Sequence, residues 1–198
     1  MVRLLLATSN QAKVSEYMML FQDLPCELVT LAEQAIPAVA ETGSSLEENA
    51  RLKAVAYAAQ SPLPALADDS GLEVDALGGE PGPLSRRYAG DNASDKERNE
   101  YLLSKLRNVP WEGRGARFRC IIAVATPEGT VKTVEGVCDG VIAFDYRGGS
   151  GFGYDPIFYL PQLDRHMAEL TLDEKNEISH RARAAQRALP ILEKLGYR

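Results

Sequence analysis

At 198 residues, 45% hydrophobic and 25% charged, the chain has the length and composition of an ordinary globular protein, which argues against disordered and fibrous classes. A formal charge of −6, from 22 Lys and Arg against 28 Asp and Glu, offers no general attraction to a polyanion. Binding to nucleic acid as a polymer is therefore disfavoured, whereas a small phosphorylated ligand needs only a few well-placed cations.

Cys26, Cys120 and Cys138 are widely spaced and lack any CxxC pairing, which argues against both a disulfide framework and a thiolate metal site. No apolar run approaches the ~18 residues of a membrane span, and the apolar core of MVRLLLATSN is too short for a signal peptide. The expectation is a cytoplasmic protein without a membrane partner, folding as a single domain over residues 1–198.

Residues 2–7 form an apolar run ending at Thr8, Ser9 and Asn10, after which Val14, Tyr17, Met18 and Phe21 recur at helical spacing. That predicts strand, loop and helix. Pro25 stops the helix, residues 26–29 suit a second strand, and residues 31–43 show no period and read as loop. Ser45 followed by Glu48 is a capping-box pattern opening an alanine-rich helix over 46–60, which Pro62 and Pro64 end. Residues 65–67 read as a buried strand, Leu72, Val74 and Ala76 as a second extended stretch, and Asp68 and Asp69 as lying between the two.

Gly78, Gly79, Pro81, Gly82 and Pro83 then form an irregular loop, and Ser94 caps a helix running to about Arg107. Residues 116–125 and 131–137 flank a turn at Pro127, Glu128 and Gly129 as a hairpin. A short strand near Val141, another over 157–160 and a last helix over 179–195 complete the reading. Strands and helices alternate early and hairpins come late, so the fold class is α/β, with a mixed sheet flanked by helices.

ADDSGL is the first place where chemistry can reside. Two adjacent carboxylates at a strand end repel each other, and a divalent cation relieves that repulsion; hard oxygen ligands favour magnesium. One carboxylate can bind metal while the other accepts a proton from water, and an ordinary turn accounts for the same residues. Glu41 and Glu48 are further candidate ligands. Thr8, Ser9 and Asn10, followed by a helix start and Lys13, suit a phosphate, although GxxxxGK[ST] is absent. Lys53 shares a helix face with Asn49. GGSGFGYDP does not fit GxGxxG; instead its backbone donors, Phe152 and Tyr154 offer a surface for a base. Lys175, His180 and Arg181 gather near the last helix, whereas His166 reads as an uninformative surface histidine.

In order along the chain, TSNQAK, ETGSSLEENARLKA, ADDSGLEVDALGGEPG, GFGYDPIF and ELTLDEKNEISHR closely resemble the inosine triphosphate pyrophosphatase family. The resemblance implies an elongated mixed sheet in two lobes with a central cleft, a homodimer, and magnesium-dependent hydrolysis of ITP, dITP and XTP to the monophosphate and pyrophosphate. It implies Asp69 as proton acceptor and metal-associated carboxylate, assisted by Asp68 and Glu41. Thr8, Ser9, Asn10, Lys13, Lys53 and Ser70 would hold the triphosphate. Phe152, Gly153, Tyr154 and Asp155 would contact base and sugar, and Lys175, His180 and Arg181 would recognise the 6-keto oxygen. A pyrimidine triphosphate pyrophosphatase and a nucleotide sensor without turnover are the rival readings.

Overall fold

The computed structural model describes residues 2–34, 36–37 and 39–196. Among them eight strands form an open mixed sheet: β1 (Val2–Leu6), β2 (Cys26–Thr30), β3 (Ala65–Val74), β4 (Pro81–Gly82), β5 (Gly115–Ala125), β6 (Val131–Ile142), β7 (Phe158–Leu160) and β8 (Arg165–His166). Their order is β2-β1-β3-β5-β6-β7-β8, with β4 paired to β3 off that path. β1 runs parallel to both β2 and β3, whereas β3 with β4, β6 with β7, and β7 with β8 are antiparallel. Among the described residues six helices accompany the sheet: α1 (Gln11–Leu20), α2 (Leu31–Gln34), α3 (Leu46–Gln60), α4 (Asp95–Lys105), α5 (Leu172–Ile178) and α6 (His180–Lys194). Among the described residues, no helix is long and apolar enough to cross a membrane.

The chain divides into two compact units, one made of residues up to Asp69, Cys120–Gly136 and residues from Arg181 onward, the other of Ser70–Arg119 and Val137–His180. In the first unit, alternation along the strands builds two apolar layers. Leu4, Leu6, Leu66, Cys120 and Ile122 pack with Tyr17 and Phe21 of the α1 segment and Ala184 and Ala188 of α6. Leu5, Ala65, Ala67, Ile121 and Ala123 pack with Ala50, Ala54 and Tyr57 of α3. The second unit has its own core, where Leu102 and Leu106 meet Phe118, Ile142, Ile157 and Phe158.

Helix boundaries follow their caps. The Asn10 Oδ1 accepts from the Ala12 and Lys13 amides at 3.0 and 3.3 Å and opens α1. Ser45 opens α3 through the Glu48 amide at 3.1 Å, but the Glu48 carboxylate binds Ser44 rather than Ser45, so the expected capping box is only half formed. Ser94 and Glu97 make a complete box at α4.

Four sequence expectations are corrected. The stretch 31–43 contains the short helix α2, held where Glu33 accepts from the Thr30 amide and hydroxyl, a local contact without apolar period; Ala35 and Ala38 lie outside the described residues. The extended stretches around Asp68 and Asp69 are one continuous strand, β3, with Ala76 in the helical turn that follows. The strand near Val141 is the end of β6. His166 is buried, its Nδ1 2.7 Å from the Pro156 carbonyl oxygen.

Candidate functional site

β1 stops pairing with β3 at Leu6 and Leu66, and the Ala7 amide makes a last bond to the Leu66 carbonyl at 2.8 Å. Beyond it β1 turns away through Thr8, Ser9 and Asn10, while β3 continues into Asp68 and Asp69. The next two strands in the chain, β2 and β3, pair in parallel with β1 on its opposite sides, the arrangement that opens a ligand site at the carboxyl ends of parallel strands.

Successive side chains of a strand point to opposite faces, so the two carboxylates do not sit side by side as a turn would place them. They are also buried, at 2% exposure for Asp68 and 7% for Asp69. Asp68 lies on the face of Leu66 and Cys120, where its Oδ2 accepts from the Lys13 Nζ at 2.7 Å and the Cys120 thiol at 3.7 Å and lies 3.6 Å from the Arg181 Nε. The buried Arg181 guanidinium is also paired with the buried Glu16 and lies 5.9 Å from the Tyr17 ring centre. Burial opposes ionisation of Asp68, but Lys13, Arg181 and Lys53 outweigh it and hold the carboxyl well below the usual carboxylate range.

Asp69 faces α3. Its Oδ2 accepts from the Asn49 Nδ2 at 3.2 Å and its Oδ1 from the Lys53 Nζ at 3.2 Å, and the same ammonium donates to the Glu41 Oε1 at 2.7 Å. Burial pushes the Asp69 carboxyl upward against the pull of Lys53 and Lys13, and the negative charges of Glu41 and Asp68 push the same way. For Lys53, burial works against the charge, but Asp69, Asp68 and Glu41 prevail and raise its pKa. Asn49 also accepts the Gly43 amide at 2.8 Å and so ties the ETG loop to the strand carboxylate. A Cβ on Gly43 would come within 2.8 Å of that same Asn49 oxygen, hence the glycine.

Among the described residues no three Asp, Glu, His or Cys side chains form a ready-made metal cage. Asp69 and Glu41, both bound to Lys53, nevertheless supply hard oxygens. Two carboxylates with water and phosphate oxygens completing the shell is the usual way magnesium binds, and the donor set fits it.

The second unit holds the other expected residues. Ser70 follows in β3, half-buried. Asp155 is buried with its Oδ2 accepting from the Lys175 Nζ at 2.6 Å and the Phe152 amide at 2.9 Å, and the ammonium lies 4.7 Å from the half-buried Phe152 ring centre. His180 is buried and stacked on Phe118 at 4.8 Å. Tyr154 does not offer an exposed aromatic face as expected: it is packed in the core, its hydroxyl donating to the Ser85 carbonyl at 2.8 Å.

In the first unit the fold brings together Lys13 with Asp68 and Arg181, and Glu41 with Lys53 and Asp69; His180 belongs to the second unit. Glu16 was not anticipated. The available signal was a carboxylate next to Tyr17 on the helix face that carries Lys13, a charge where an amphipathic helix should be apolar.

The profile of the Ham1 family matches residues 4–191. A protein of Desulforamulus reducens named dITP/XTP pyrophosphatase is 46% identical over 98% of this chain and 97% of its own length. One of the same name from Geobacillus kaustophilus is 50% identical over 93% and 91%. Among solved structures, a HAM1 protein from Coxiella burnetii superposes with a TM-score of 0.90 at 43% identity, covering 98% of this chain and 100% of that one.

Proposed function

The chain belongs to the Ham1 family, and from that premise we propose that it hydrolyses non-standard purine nucleoside triphosphates, dITP, ITP and XTP, to the monophosphate and pyrophosphate. The observation that carries the chemistry is the buried Asp69, with Asn49 on one oxygen, Lys53 on the other, and a carboxyl pushed upward by burial. A base of that kind is poised nearer to working pH than an ordinary aspartate.

In this reading Asp69 accepts a proton from water as its oxygen bonds to the α-phosphorus, and the α–β anhydride bond breaks with its electrons leaving on pyrophosphate. Lys13 and Lys53 compensate phosphate charge, and Thr8, Ser9, Asn10 and Ser70 donate hydrogen bonds to the phosphates. Asp68, held by Lys13 and Arg181, fixes the cation that meets the phosphate. Magnesium would be held by Asp69 and Glu41 and would supply further charge neutralisation. The base rests on Phe152 within the loop of Gly153, Tyr154 and Asp155, and donors from Lys175, His180 and Arg181 select a 6-keto oxygen, because adenine presents an amino group that leaves such donors unmatched.

The active form in this reading is a homodimer working in the cytoplasm with no polymer partner; three cysteines that are thiols rather than disulfides suit a reducing compartment. With magnesium, purified protein is expected to convert dITP and XTP to monophosphate and pyrophosphate at least about 100-fold faster than dATP, a margin within reach of a site whose buried donors must be matched, and faster than dGTP, which shares the 6-keto oxygen and differs from hypoxanthine at its 2-amino group. Orthophosphate release, or a preference for modified pyrimidine triphosphates, would overturn the proposal. Lys53→Ala is expected to raise KM and lower kcat about tenfold each as one charge contact to the phosphates is lost. Steady-state kinetics with dITP checks this, and unchanged constants would remove Lys53 from the phosphate site.

A further inference from the structure

The GFGYDP loop is gripped on both polar groups of a single residue by one helix. The Gly153 amide donates to the Asp95 Oδ2 at 2.7 Å, and the Gly153 carbonyl accepts from the Asn99 Nδ2 at 2.9 Å. Asp95 and Asn99 are four residues apart on α4, so one face of the helix presents an acceptor and a donor together. Gly153 has a φ of +63°, and a Cβ there would meet nothing within 4 Å, so its glycine answers to backbone conformation rather than to space.

The helix making this grip is itself well anchored. Its capping box closes the N-terminus, Leu102 and Leu106 are in the core, and Arg98 pairs with Asp95 while donating to the Ala93 carbonyl. Asn99 is 1% exposed, so its bond to the Gly153 carbonyl is made away from water, where a lost donor is not replaced by solvent. On the other side of Gly153 the loop is closed upon Asp155. A Cβ at Gly151 would come within 2.2 Å of the Asp155 Oδ2, the oxygen that binds the Phe152 amide and Lys175.

The geometry points to Asp95 and Asn99 as positioning residues for nucleobase recognition: they set the height and tilt of the loop that carries Phe152, without touching the nucleotide. This rests on the proposed placing of the base against Phe152. Selectivity by stacking and by backbone donors depends on sub-ångström placement, which a flexible glycine-rich loop does not hold unaided. α4 supplies that placement from outside the loop.

The test uses Asn99→Asp, which keeps the side-chain size but replaces the donor by an acceptor facing a carbonyl, together with Asp95→Ala and Asp95→Asn. Asn99→Asp and Asp95→Ala are expected to raise KM for dITP about tenfold with kcat within about threefold, and to narrow the ratio of dITP to dGTP turnover. Asp95→Asn, whose amide oxygen still accepts from Gly153, restores the wild-type KM. Hydrogen exchange followed by mass spectrometry on the full chain is read beside the kinetics, and segment 148–157 loses protection in the first two variants while α4 keeps its own.

Loss of protection throughout the second unit, or a fall in active fraction at unchanged KM, would mean a merely structural role and overturn the inference. Unchanged exchange and unchanged KM would overturn it as well. Failure of the wild-type protein to release pyrophosphate from dITP would instead overturn the nucleotide reading, and with it the base-positioning role.

Discussion

Asp69→Asn is expected to lower kcat for dITP by about 10²–10⁴, the range that a positioned general base contributes. Asparagine has the same shape and can keep an oxygen toward Asn49 or Lys53, so KM should change little. The stability outcome separates chemistry from folding. The Asp69 carboxyl is raised above its unfolded value, so at neutral pH its ionised form is disfavoured by the fold, and a neutral isostere removes that cost while also removing one of the three anions that keep Lys53 charged. A thermal midpoint close to that of wild type, with turnover nearly abolished, is the expected pair of results. Near-normal turnover would remove Asp69 as the base; a large fall in the midpoint would show the carboxylate to be structural.

Arg181→Met is expected to cost about 3–5 kcal/mol, because it leaves the buried carboxylates of Glu16 and Asp68 without the cation that bridges them. For a chain of this size that corresponds to a fall of about 10 °C in the thermal midpoint. Asp68 gives the effect a pH signature. Its folded pKa is depressed, so it contributes stability above the ordinary carboxylate pKa of about 3.9, which is lost as pH falls through the lower folded value. Without Arg181 the depression shrinks, and the difference between variant and wild type should narrow as the solution is made acid. Calorimetry from pH 7 down to about pH 2 checks both statements. An unchanged midpoint with a raised KM for dITP would instead make Arg181 chiefly a reader of the base.

These two residues also show where sequence reading runs out. ADDSGL read as a carboxylate pair at a turn, and that turn does not exist: Asp68 and Asp69 lie inside β3, and strand alternation sends them to opposite faces. A two-residue carboxylate pair in a sequence has no face until the strand register is known. Lys13 read as suited to a phosphate, and only the tertiary structure makes it the partner of Asp68. Arg181 and His180 are neighbours in the chain, yet Arg181 pairs with Glu16 while His180 stacks on Phe118.

By itself the sequence determined the family, the mixed α/β class, and the boundaries of α1, α3, α4 and α6 to within a few residues. Those properties are local: they depend on caps, on apolar periods and on short runs of residue types. Tertiary structure alone decided which carboxylate meets which cation, that Asn49 joins the ETG loop to Asp69, that Tyr154 is core rather than surface, and that α4 holds Gly153. Each of those rests on groups far apart in the chain brought within hydrogen-bond distance. Burial then turns the contacts into large shifts in proton affinity, and no linear reading of residue types contains that burial.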